Sequence, residues 1–229
     1  MKLIVGNLKM NLTINQLEDY LKELEEIKDK IVICPTSIYA PYFIANNFQV
    51  GLQNVFYEDK GSYTGEISPL QAQKINIKYT ILGHSERRII FKESDEVINK
   101  KIKAALRNNL KVILCLGEKK NQNAFKIISE QLNSCLKDVS DLSNIIIAYE
   151  PVWAIGTNKT PKNEKINDVI LYIKRLIKKE FNFDIKVLYG GSVNEQNIDK
   201  LNEIKSIDGF LIGSAAIDPK KLKKIVEVS

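Results

Sequence analysis

Short runs of β-branched residues alternate with amphipathic stretches from one end of this chain to the other. The apolar runs are Leu3-Ile4-Val5, Ile31-Val32-Ile33-Cys34, Gln49-Val50-Gly51-Leu52, Thr80-Ile81-Leu82, Val112-Ile113-Leu114-Cys115, Ile145-Ile146-Ile147-Ala148, Lys186-Val187-Leu188-Tyr189 and Gly209-Phe210-Leu211-Ile212. Most are continuously apolar, the pattern of parallel strands covered on both faces. Between them the period changes to that of a helix. Ile14, Leu17, Leu21 and Leu24 share a face behind a Thr13-to-Gln16 capping box. Ile166, Val169/Ile170, Ile173 and Leu176/Ile177 share another, with Thr160 expected as N-cap and Pro161 as the first helical residue. Pro219 opens a last helix carrying Leu222, Ile225 and Val226.

Such alternation fits either a doubly wound open sheet or a closed eightfold barrel. No G-x-G-x-x-G follows the first strand, which weighs against a dinucleotide-binding open sheet. Eight units within 229 residues, without a linker or break in composition, favour an α/β (β/α)₈ barrel with residues 1–229 as a single domain.

Composition narrows the function classes. The hydrophobic fraction of 44% and charged fraction of 27% are those of an ordinary globular protein. No apolar run is long enough to cross a membrane and no signal peptide opens the chain, so a cytoplasmic protein with no membrane partner is expected. Cys34, Cys115 and Cys135 are far apart and form no C-x-x-C, which supports neither a disulfide framework nor a metal site. The net charge of +6 is spread over helical faces, without an aromatic-interleaved basic stripe, so nucleic-acid binding is not expected. A mild positive field suits a small anionic substrate.

The candidate chemistry is positional. Asn7 and Lys9 follow the first strand, His84, Ser85 and Glu86 the fourth, Glu150 the sixth, Gly190-Gly191-Ser192 the seventh and Gly213-Ser214 the eighth. In a barrel, those strand ends converge on one mouth, where active sites of this architecture are built. Glycines in three consecutive loops suggest a phosphate pocket, because backbone N–H groups approach phosphate oxygens closely where no side chain intervenes. A lone histidine is ordinarily structural, and a carboxylate after a strand is ordinarily an ion-pair residue. Their shared position sets His84 and Glu150 apart.

Gly6-Asn7-Leu8-Lys9-Met10-Asn11, Gly83-His84-Ser85-Glu86-Arg87-Arg88, Ala148-Tyr149-Glu150-Pro151-Val152-Trp153-Ala154-Ile155-Gly156-Thr157 and Tyr189-Gly190-Gly191-Ser192-Val193 resemble the signature segments of the triosephosphate isomerase family, in the same order. Gln53-Asn54 and Gly61-Ser62-Tyr63-Thr64-Gly65-Glu66 resemble its third-strand segment and dimer-forming loop. The resemblance implies a TIM barrel acting in glycolysis and gluconeogenesis. Such an enzyme interconverts dihydroxyacetone phosphate and D-glyceraldehyde 3-phosphate through an enediolate, with no cofactor or metal. It further implies Glu150 as the base, His84 as the proton-shuttling electrophile, and Lys9 with Asn7 beside the developing oxyanion. A neutral imidazole at a helix start is a known property of the family. Glu86 is implied as the acidic partner of Lys9. Gly156, Ser192, Gly213 and Ser214, supported by Gly190 and Gly191, are implied at the phosphate, and residues 151–160 as a closing lid. A homodimer is implied through the 61–66 segment, with Thr64 reaching the neighbour's Asn7 and His84.

The chain departs from the family in places. Leu8 stands where tryptophan is usual, and Ser214 where a second glycine is. Asn158 and Pro161 replace the glycine and alanine usual in the lid, so a stiffer hinge is expected. Two other readings compete: a different phosphosugar-isomerising barrel, which would place its acid and base at other strand ends, and a non-catalytic barrel scaffold, which would not need the intact Asn7, Lys9, His84 and Glu150.

Overall fold

The computed structural model describes residues 2–157 and 160–229. The chain begins with β1 (Leu3–Asn7), α1 (Ile14–Leu24), β2 (Ile31–Cys34), α2 (Ala40–Ala45) and β3 (Gln49–Leu52). It continues with α3 (Pro69–Lys74), β4 (Tyr79–Leu82), α4 (Ser85–Ile89), α5 (Asp95–Arg107), β5 (Lys111–Leu116) and α6 (Ala124–Cys135). It ends with β6 (Ile145–Tyr149), α7 (Asn163–Phe181), β7 (Lys186–Tyr189), α8 (Ile198–Asn202), β8 (Gly209–Ile212), α9 (Ser214–Ile217) and α10 (Pro219–Glu227).

Every strand pairs in parallel with its sequence neighbours, and β8 returns to β1, so the sheet is a closed barrel. The eight apolar runs are its eight strands. Alternate residues of every strand but β3 belong to the inner cluster, among them Val5, Val32, Ile81, Ile113, Cys115, Ala148, Leu188 and Leu211. Their neighbours Ile4, Ile33, Leu82, Leu114, Ile147 and Val187 face outward into a larger core shared with the helices. This double burial explains why the runs are continuously apolar.

Two local expectations need correction. Asn7 does not follow the first strand; it is the last residue of β1 and is buried. Helix α7 starts at Asn163 with Lys162 as N-cap, not at Pro161 behind Thr160. Lys162 keeps extended backbone (ψ 146°), which holds the helix start to the residue after it, and Pro161 is buried ahead of it. Asn158 lies outside the described residues. At α1 the Gln16 half of the capping box forms: its Oε1 accepts from the Thr13 N–H at 2.9 Å.

Candidate active site

At the C-terminal ends of the strands, Asn7, Lys9, His84, Glu150, Gly156, Gly190, Gly191, Ser192, Gly213 and Ser214 line one cavity of about 50 Å³. These residues come from five different strand ends, up to 207 positions apart, and closure of the barrel brings them together. Ile155 and Gly156, in the segment that follows β6, form part of its wall.

Lys9 takes a left-handed backbone conformation, φ +52°, unusual for a residue with a side chain. Two hydrogen bonds hold it there. Its N–H donates to Asn7 Oδ1 at 3.0 Å, and its carbonyl accepts from Gln53 Nε2 at 2.7 Å, an amide that also donates to the Cys34 carbonyl. With Oδ1 engaged in this way, the Asn7 carboxamide has its Nδ2 donors left for a ligand. The Lys9 ammonium pairs with Glu86 Oε1 at 2.6 Å.

His84 caps α4. Its Nδ1 accepts from the Glu86 backbone N–H at 3.3 Å, which assigns the ring proton of a neutral imidazole to Nε2. Nε2 faces Glu150 Oε1 at 3.4 Å, longer than a good hydrogen bond. The Glu150 carboxylate is 2% exposed and its other oxygen accepts from the Ser85 N–H at 3.1 Å. A buried carboxylate, an imidazole and a lysine side chain thus face one small space.

Glu86 sits beside Lys9 as expected, outside the cavity lining. Thr64 is exposed and does not reach the cavity of its own chain. Leu8, in the usual tryptophan position, is buried behind the site. Ser214 is the first residue of α9 and has no positive φ, so a side chain is accommodated where glycine is usual. Its N–H, in the first turn, has no acceptor within the helix.

Two residues here were not singled out from the sequence. A Cβ on Gly117, the residue after β5, would lie 1.7 Å from the Glu150 carbonyl oxygen, so only glycine lets the chain pass the Glu150 backbone there. Glu118 is buried, and its Oε1 accepts from the Tyr149 hydroxyl at 3.3 Å and from Trp153 Nε1 at 3.2 Å. Its carbonyl also accepts from the Val152 N–H at 3.0 Å, so the first turn of the lid is moored to the end of β5. Burial, reinforced by Glu118, pushes the Tyr149 hydroxyl well above the usual tyrosine range and keeps it a donor. Burial, then the charge of Glu150, does the same to the Cys115 thiol. The signal was available: Gly117-Glu118 follows the fifth strand as Glu150 follows the sixth.

A barrel mouth with this set of groups defines an enzyme of the proton-transferring, anion-binding barrel class. Comparison with known proteins is more specific. The profile of the triosephosphate isomerase family matches residues 2–229. Curated triosephosphate isomerases of Clostridium tetani (strain Massachusetts / E88) and Clostridium botulinum (strain Loch Maree / Type A3) are each 38% identical, over 98% of this chain and 95% and 98% of their own lengths. The triosephosphate isomerase of Dictyoglomus turgidum is 39% identical over 98% of both chains. The chain belongs to the triosephosphate isomerase family.

Proposed function

We propose that this protein interconverts dihydroxyacetone phosphate and D-glyceraldehyde 3-phosphate, a step of glycolysis and gluconeogenesis. The observation that carries the reading is the meeting of Glu150, His84 and Lys9 in one cavity ringed by glycine loops. Glu150 takes a proton from the hydroxymethyl carbon of the ketose while the His84 Nε2–H donates to the carbonyl oxygen. The resulting enediol loses its other hydroxyl proton to the imidazolate, and Glu150 returns its proton to the neighbouring carbon, which leaves the aldose. The Lys9 ammonium and the Asn7 amide stabilise negative charge on those oxygens as it develops. The N–H groups of Gly156, Ser192, Gly213 and Ser214 hold the phosphate, and the lid keeps water from an enediolate that would otherwise eliminate it.

The working unit in this reading is a homodimer of single-domain subunits in the cytoplasm. Exposed apolar side chains support it: Met10, Ile38, Tyr63, Ile90 and Phe91 all lie on loops that follow β1 to β4, on the same side as the 61–66 segment. Thr64, exposed and outside its own cavity, is free to enter a neighbour's site. Among the described residues no helix is long and apolar enough to cross a membrane.

A coupled assay with glyceraldehyde 3-phosphate tests the activity. Fast conversion, with none of a phosphorylated aminoaldose, is the expected result. Absence of triose conversion by folded dimer overturns the proposal, and conversion of the aminoaldose alone favours a different phosphosugar isomerase.

A further inference from the structure

The opposite end of the barrel carries a second constellation that the isomerase reading does not use. Five of the eight strands begin at, or directly after, a lysine: Lys2 before β1, Lys30 before β2, Lys78 before β4, Lys111 opening β5 and Lys186 opening β7. They are widely spaced in sequence, but because the strands are parallel they all fall at the N-terminal mouth. Strand register ties them into a ring, with Tyr79 paired to Lys111 and Ile146 to Lys186. Inside the ring is a cavity of about 580 Å³, lined by Lys2, Lys30 and Lys186, and a second of about 230 Å³ that shares Lys186, Leu3 and Tyr79 with it and adds Lys111.

The ring is short of anions. Among the described residues Lys30, Lys78, Lys111 and Lys186 have no carboxylate within ion-pair distance. Of the three aspartates that line the two cavities, Asp208 is paired with Lys174 at 2.7 Å and Asp184 with Lys178 at 2.8 Å, which leaves Asp29 without an ion pair among the described residues. Lys2 has a carbonyl and a ring for company, Asn202 and Phe210, and its ammonium is held below the usual lysine range by burial and by Lys205. Unpaired cations around a concavity repel one another and focus a positive potential into it.

We propose that this basal mouth binds a compact oligophosphate anion, either inorganic triphosphate or the phosphate tail of a nucleoside triphosphate. Concavity favours a small multiply charged ligand over the extended backbone of a nucleic acid. The Tyr79 ring, which lines both cavities, is buried beneath the Lys111 ammonium, which favours the phosphates over a base there; the half-buried Phe183 ring lines the smaller cavity alone. Lysine suits the task as a strongly charged, mobile donor.

The test is titration calorimetry of the full-length protein with inorganic triphosphate at low ionic strength. Saturating glycerol 3-phosphate keeps the catalytic mouth occupied. Binding with a dissociation constant below about 1 mM, weakened by added salt, is expected. The exposed triple variant Lys30→Gln/Lys111→Gln/Lys186→Gln should bind at least about tenfold more weakly while turnover and KM for triose phosphate stay unchanged. Lys220→Gln/Lys221→Gln/Lys224→Gln on α10 removes the same charge elsewhere and should leave the affinity as it was. Loss of binding in that control, equal binding by the ring variant, displacement by glycerol 3-phosphate, or no binding at all overturns the proposal. ATP binding within about threefold of inorganic triphosphate supports recognition of the phosphates alone, and much tighter ATP binding overturns that part. None of these outcomes bears on the isomerase assay.

Discussion

The two halves of the catalytic mouth are built differently. Loops after β1 to β4 carry the cationic and imidazole groups, and these are tied down. Lys9 is held by Asn7, Gln53 and Glu86, and His84 by the first turn of α4. The same loops expose Met10, Ile38, Tyr63, Ile90 and Phe91. Loops after β5 to β8 carry the carboxylate, the 151–160 segment and the glycines, and among the described residues no large apolar side chain in them is exposed. In the proposed reading, one half fixes charges and presents a surface to a second copy, while the other carries the segment that opens. Charge stabilisation needs preorganisation, and substrate entry needs a segment that opens. Placing the two on opposite sides separates the requirements.

The most severe way to break this division is at the base. Glu150→Asp withdraws the carboxylate by about one methylene, and turnover should fall at least about 100-fold with little change in KM. Near-normal turnover would remove Glu150 from its role. On the mobile side, deleting residues 155–158 should raise methylglyoxal release relative to isomerisation by about tenfold or more, since water then reaches the enediolate. An unchanged ratio would mean that the lid does not protect the intermediate.

On the fixed side, Ile90→Asp with Phe91→Asp should weaken subunit association by about 2 kcal/mol or more, visible as monomers in sedimentation velocity, and lower activity with it. A stable dimer would place the interface elsewhere. Trp153→Phe removes the indole donor to Glu118, a loss of about 1 kcal/mol from the lid mooring, and should shift KM more than turnover. The smallest effect is expected from Asn158→Gly with Pro161→Ala, which should alter the solvent-viscosity dependence of turnover. No change would show that this stretch does not set the hinge rate.

The barrel and most of the site were legible because their signals are local. Continuous apolar runs mark strands buried on both faces, and Lys9, His84 and Glu150 fall in short motifs just beyond them. What stayed hidden depends on contacts between distant segments. Helix α7 starts at Asn163, past the cap and proline pattern at 160–161, because Lys162 is still extended. Gly117 is required by the Glu150 carbonyl, 33 positions away in sequence. The basal lysines read as ordinary surface charge until parallel strand order brings them to one rim. Glu118 was the avoidable omission, since its place after a strand was visible.

Glu86 meets its neighbours through two parts of itself: its peptide N–H donates to His84 Nδ1, while its carboxylate anchors Lys9 through Oε1 and lies 3.6 Å from the same imidazole nitrogen through Oε2. Mutation can erase only the second. Glu86→Gln or Glu86→Ala would thus loosen the lysine and remove the negative charge beside the imidazole, while the peptide donor that faces Nδ1 stays in place.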